Sequence, residues 1–226
     1  MRFIIHELPY ERPLLAGRLR YERDGQDGSS RPTGAVESWR LSQAADGYRF
    51  LRVDLDARAA PSGNSWLYHV TLGPDGRPEQ VKARFWVAGH EVTTTIDRQE
   101  DEWLAARRVD GAAYEDVARG GAFWFPAAAG LALLRGCVDE TGGVTLLMDT
   151  SDAARILALC ATPVTIALGA PVEEQVGDET LAARTLLVAW GRNRRTVWLD
   201  DDGRPLRLWR DDGLTAVAER LIRYSA

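Results

Sequence analysis

Lysine is almost missing from this chain of 226 residues: Lys82 is the only one, and arginine supplies the rest of the 28 basic residues. Against 33 acidic residues they leave a formal net charge of −5 and a pI near 5.3. No basic groove for a phosphate backbone is expected, and nucleic acid is not an expected partner. Long apolar runs are missing too. No window reaches the roughly 20 apolar residues of a membrane span. The amino-terminal Phe3-Ile4-Ile5 is cut short by His6 and Glu7, well below the core of a signal peptide, so the expected compartment is the cytoplasm.

The residues that carry chemistry are equally sparse. Cys137 and Cys160 have neither a CxxC partner nor a nearby histidine, and read as two buried free thiols, with a disulfide between them left open. His6, His69 and His90 lie far apart; His90 and Glu91 fall on opposite faces of one strand and cannot share a metal from it. The run Asp200-Asp201-Asp202-Gly203 lacks the further ligands of a calcium loop. No GxSxG and no glycine-rich phosphate loop occur, and Cys137 has Asp139 and Glu140 beside it, whose charge disfavours a thiolate. Glu173-Glu174 and Asp211-Asp212 read as turn or edge charges. No catalytic residue, no metal and no cofactor is therefore expected. A hydrolase or isomerase would need a composite site with His69 or His90 set against a carboxylate in a pocket.

What is present is alternation. Hydrophobic residues make up 45% and charged residues 27%, enough for one real core, so residues 1–226 read as a single domain, with two pseudo-repeated halves (about 1–135 and 136–226) as a variant of that reading. Strand follows turn from Ala35: Val36 to Ser42, a turn at Ala45-Asp46-Gly47, then Tyr48 to Ala57 with Leu51, Val53 and Leu55 against Arg52, Asp54 and Asp56. Turns at Pro61 to Asn64, Gly73 to Gly76 and Ala88-Gly89 separate SWLYHVTL, PEQVKARFWV and HEVTTTID, and EWLAARRV follows. A proline-led helix is expected over 126–136, with Gly136 as its cap, and a second over 151–160, capped by Ser151 or Thr150. PVTIAL, LAARTLLVAW, TVWLD and RPLRLW resume the meander, and the segment from Leu214 fits a helical stripe but reads as another strand by its position after a turn. Asp24 to Pro32 is the expected mobile loop.

The tetrapeptide DGRP occurs twice, at Asp75 to Pro78 and Asp202 to Pro205. Taken as two-residue hairpin turns, the copies set a register. Val197 then faces Leu208, Leu199 faces Leu206 and Leu72 faces Glu79, while Trp198 faces Arg207 and Thr196 faces Trp209 on the other side. Trp86 falls beside Lys82 and Arg84 in the same way. Two readings fit: rings and arginines lining a ligand groove, or cation–π pairs and core packing. Trp39, Trp66, Tyr68 and Trp190 read as ordinary core residues. The candidate binding set is Arg84, Trp86, Trp198, Arg207 and Trp209.

Three stretches carry a resemblance: EWLAARRVDG, AFWFPAAAGLALLRG and LAARTLLVAWGRNRRTVWLDDDGRPLRL. Their succession of tryptophan strand, proline-led helix and closing strands with a D-x-G turn resembles the half-barrel of the bacterial lipoprotein carriers LolA and LolB. It is similar also to the spiral β-roll of the bacterial putative glycolipid-binding family. The resemblance implies a mainly β fold, a large curved antiparallel meander with short helices covering one face. It further implies a concave groove that binds, without catalysis, a small apolar or amphipathic ligand such as a lipid or glycolipid. The chain departs from the carriers in having no lipobox cysteine. The alternatives are a protein-interaction module, whose tryptophan face would meet a partner or a second copy, and the hydrolase or isomerase; monomer and homodimer are both open.

Overall fold

The computed structural model describes residues 9–25, 29–138, 142–147 and 152–225. Alternating side chains bend most of them into one open, antiparallel sheet of 13 strands. Strands β1 (Glu11–Asp24), β2 (Ser30–Ala44), β3 (Arg49–Asp56), β4 (Ser65–Leu72), β5 (Pro78–Val87), β6 (His90–Gln99), β7 (Glu102–Val109) and β8 (Ala112–Arg119) form a meander. After an inserted segment come β12 (Thr165–Val176), β13 (Glu179–Trp190), β14 (Asn193–Leu199), β15 (Pro205–Arg210) and β16 (Leu214–Arg223). β16 then pairs with β1, which puts the first strand in the middle of the sheet and leaves β8 and β12 as its two edges. One sheet thus draws on residues from both sides of position 135.

The inserted segment packs inside the curve. It holds β9 (Ala122–Trp124), the helix α1 (Ala128–Ala132), a 3-10 turn Leu133–Gly136, β10 (Gly142–Leu146) and β11 (Leu159–Pro163), the three strands forming a small sheet of their own. Consecutive aromatics of this plug reach strands far apart in the large sheet. Phe123 packs on Trp103 of β7 (ring centroids 5.0 Å) and Phe125 stacks on Tyr68 of β4 (4.0 Å), while Trp124 meets Trp190 of β13 edge-on (4.5 Å). Phe123, Trp124 and Phe125 are all buried. Extended backbone sends side chains alternately to opposite sides, so this one run clamps both arms of the sheet, and aromatic pairs of this kind are worth about 0.5–1.5 kcal/mol beyond their buried area.

The expected helix over 126–136 is present in shortened form, as α1 and its 3-10 turn. The expected helix over 151–160 is not: Ala153–Arg155 makes only a 3-10 turn, Leu157 takes a positive φ of 56°, and Leu159 and Cys160 pair in β11 with Leu146 and Thr145. The caps expected at Thr150 and Ser151 lie outside the described residues. The segment from Leu214 is a strand, paired with both β15 and β1. The loop expected from Asp24 to Pro32 is shorter, because Asp24, Ser30, Arg31 and Pro32 belong to paired strands; residues 26–28 lie outside the described ones.

Both DGRP copies form the same turn, one residue longer than expected. Asp200 N–H donates to the Arg204 carbonyl (3.1 Å) and Gly203 N–H to that of Asp200 (2.9 Å), with Gly203 at φ 80°. Gly73, Arg77 and Gly76 repeat the pattern, with Gly76 at φ 83°. This is a tight turn followed by a left-handed glycine, which adds one residue to the loop and a bulge beside it. Leu199 accordingly pairs with Pro205 and Leu72 with Pro78, while Val197–Leu208, Trp198–Arg207 and Thr196–Trp209 pair as expected.

Candidate functional site

The five residues singled out from the sequence lie on the outer face, in two patches. Arg84 and Trp86 sit on β5, where the guanidinium lies 5.6 Å from the ring centroid and ion-pairs with Glu91 at 3.0 Å. Arg207 stands 5.2 Å from the Trp198 ring and reaches Glu174 at 3.5 Å, and Trp209, 37% exposed, is in the same sheet region. Five strands separate β15 from β5 in the sheet order, so the patches do not meet. His69 and His90 are also exposed, and His90 pairs with Asp110 at 2.8 Å.

The inner face holds a cavity of about 930 Å³, near the top of the range for small-molecule pockets. Its wall includes Tyr21, Leu55, Ala57 and Trp66 from the sheet, Leu146 from the plug, and Trp190 from β13. Cys160 lines it as well, and both cysteines are half-buried rather than buried. Among the described lining residues there is no histidine, aspartate or glutamate. A second, smaller cavity of about 200 Å³, between Trp39, Leu51 and Leu133, includes Gly76 and Gly203 of the two DGRP turns.

Four arginines line the large cavity at adjoining strand ends. In sheet order they are Arg195 on β14, Arg210 on β15, Arg23 on β1 and Arg31 on β2, with Leu214 of β16 between the two pairs. Arg195 is the direct cross-strand partner of Arg210, and Arg23 that of Arg31. Like charges placed opposite each other in a sheet are destabilising. Asp211 pairs with Arg195, and Asp212 pairs with Arg210 at 2.6 Å, neither carboxylate lining the cavity. Burial, which raises a carboxylate's pKa, is outweighed at Asp212 by Arg210, which holds it below the usual range. Burial, with the facing Arg210, lowers Arg195 from the usual guanidinium value.

Two polar atoms in this wall are buried without a hydrogen-bond partner among the described residues: Arg195 Nε, on a side chain 6% exposed, and Thr145 Oγ1, on one 4% exposed. Buried polar groups are ordinarily paired, and each exception calls for a reason. Beneath the cavity a third group is fully paired. Glu37, wholly buried on β2, accepts from the Tyr21 hydroxyl (2.7 Å) and from the backbone N–H of Ala129 (2.8 Å) and Ala128 (3.0 Å), capping a helix whose own first residues supply no side-chain cap. Burial raises the Glu37 pKa against these three donors, and burial followed by the Glu37 charge raises that of Tyr21.

Sequence reasoning took the wrong parity for this wall. The period that sends Val197 and Leu199 inward sends Arg195 with them, and Arg210 follows Leu206 and Leu208. The signal was an arginine in phase with the aliphatic residues at a strand end, rather than out of phase as at Arg207.

Fold and cavity together define an all-β protein of barrel-like form, its sheet unclosed and its interior partly filled by the plug. No family model and no curated protein matches the chain. Among solved structures, it is similar to the β-barrel-like protein of the domain of unknown function DUF1849 from Brucella abortus. The two superpose with a TM-score of 0.62 at 11% identity, over 94% of this chain and 98% of that one, a likeness of fold.

Proposed function

We propose that the protein binds, without catalysis, a small apolar or amphipathic ligand inside the curve of its sheet, in keeping with the half-barrel lipoprotein carriers and the putative glycolipid-binding family that its sequence resembles. The observation that carries this reading is the cavity of about 930 Å³ walled by Leu55, Ala57, Trp66, Leu146 and Trp190. The lack of any histidine or carboxylate among its described lining residues favours binding over acid–base chemistry. The neutral dye N-phenyl-1-naphthylamine tests it: its fluorescence should rise on addition of protein, and Cys160→Trp, which fills the cavity from a half-buried position, should weaken the dye by about tenfold. Alkylation of Cys160 in a Cys137→Ala background should slow when dye saturates the protein. A dye that neither binds nor protects Cys160 would sink the proposal.

A second reading, self-association, is favoured by one outer row in which Leu187, Thr196 and Trp209 pair in succession across β13, β14 and β15, with Leu187 and Trp209 exposed. Solution mass separates the two, since a stable dimer that dissociates on Trp209→Ser supports this reading.

A further inference from the structure

The wall of the cavity is not uniform, and its polarity has a direction. Arg23 and Arg31 are exposed at its rim, Arg210 is half-buried and Arg195 buried, in a crescent over five neighbouring strands. Opposing arginine pairs occur there twice, an arrangement that self-repulsion disfavours. Arg195 keeps a buried Nε–H donor without a partner among the described residues, and Thr145 a buried hydroxyl in the same condition, both in the lining. Arg23 gives one of its donors to the Asp212 carbonyl at 3.2 Å. At the other end of the gradient the wall is aliphatic and aromatic, and the buried carboxylate of Glu37 stands behind Tyr21. An anion therefore finds no donors in the aliphatic and aromatic part and is attracted to the arginine end, where guanidinium donors give charge-assisted hydrogen bonds.

From this crescent we infer that the cavity takes an amphiphile with an anionic head, a carboxylate or a phosphate, bound by Arg195, Arg210, Arg23 and Arg31, with its apolar tail laid against Leu55, Trp66 and Leu146. This rests on the ligand-binding reading above and narrows it to one class of ligand. A neutral amphiphile cannot take charge-assisted hydrogen bonds from the guanidinium donors at this end, so head charge, and not tail length alone, sets affinity.

The test displaces N-phenyl-1-naphthylamine from the full chain with three ten-carbon probes: decanoate, decyl phosphate and decanol. Both anions are expected to bind at least about tenfold more tightly than decanol, by charge-assisted bonds decanol cannot make. Added salt should erode that advantage at the exposed rim. Arg23→Gln, at an exposed position, should weaken both anions about three- to tenfold and leave decanol unchanged. Arg195→Lys, which keeps the charge and loses the Nε donor, should weaken them as well. Arg207→Gln, on the outer face, should change nothing. A preference for one anion identifies the head as carboxylate or phosphate. If decanol matches the anions while the dye binds, the anionic head is refuted and the cavity stands; if Arg207→Gln acts as Arg23→Gln does, the site is refuted too. If neither dye nor any probe binds, both readings fall.

Discussion

Glu37 links the sheet, the plug and the cavity wall, so its replacement by glutamine tests how they are held together. Its two carboxylate oxygens serve three buried donors: Oε1 takes Ala129 N–H, and Oε2 takes both Ala128 N–H and the Tyr21 hydroxyl. Glutamine keeps one oxygen and replaces the other with an NH2 that accepts nothing. In either orientation a helix N–H faces another donor and is left buried without a partner, a loss of about 1–3 kcal/mol. For a chain of this length that is about 2–4 °C of Tm per kcal/mol. The pH dependence follows from the raised pKa of Glu37. Between the ordinary carboxylate value and the raised one, the folded state binds the proton more readily than the unfolded state. Glu37 therefore contributes most stability below the ordinary value, and that contribution is lost as pH rises through the folded pKa. A protonated carboxyl also retains two acceptor oxygens, which the amide does not. The gap between wild type and Glu37→Gln should thus be largest near pH 4 and shrink toward pH 8, measured by urea denaturation followed by circular dichroism. Glu37→Leu, which orphans all three donors, should cost more than Glu37→Gln. A glutamine variant within about 0.5 kcal/mol of wild type at low pH, the range of an ordinary surface change, or a gap that widens with pH, would refute the carboxylate-cap account.

Three other perturbations probe the frame. Gly203→Ala forces a Cβ into a φ of 80° and should cost about 1–2 kcal/mol, whereas Gly136→Ala, without positive φ and with open space around it, should cost less than about 0.5 kcal/mol; equal losses in thermal melts would contradict the turn geometry. Gly17→Ala places a Cβ about 2.6 Å from the Trp39 ring and should destabilise by about 1–3 kcal/mol through overpacking, read as a shift in urea midpoint. Asp54, pushed up to about 6 by burial and then by the neighbouring Asp56, destabilises the fold increasingly as pH rises through that value, because the folded state must give up a proton the unfolded state has already lost. Asp54→Asn should gain in Tm relative to wild type between pH 5 and pH 8, and a difference independent of pH would count against it.

Turn residues and period-two alternation located β3 through β7 and β13 through β16 closely, because in these strands one face is buried and one is wet, and found part of β2 and of β12. They did not reveal β1, where register shifts between Pro13 and Leu15, Arg18 and Leu19, and Arg20 and Glu22 break the period. Nor did they reveal β8, whose edge position leaves Tyr114 and Val117 exposed and its alternation faint. The apolar run Ile156 to Cys160 satisfies a helical pattern and a strand pattern alike; pairing with β10 decided it. For the site, the sequence brought out arginine beside tryptophan. Parity alone puts Arg195 inward, two residues from a wholly buried valine, and Arg207 outward, but it does not tell that the inward position lines a cavity and not packed core.

By itself the sequence determined a predominantly antiparallel β fold, the position of the duplicated turn at DGRP and the cross-strand partners beyond the first pair on each side of it. These depend on neighbours a few residues away, where backbone sterics and side-chain parity act directly. The tertiary structure alone decided that β16 returns to β1, bringing Arg210 and Arg23 to the same end of the sheet across more than half the chain. It alone decided, too, which inward side chains are core and which are wall. Parity is the same for both; only the curvature of the sheet and the size of the plug determine how far each inward position is filled.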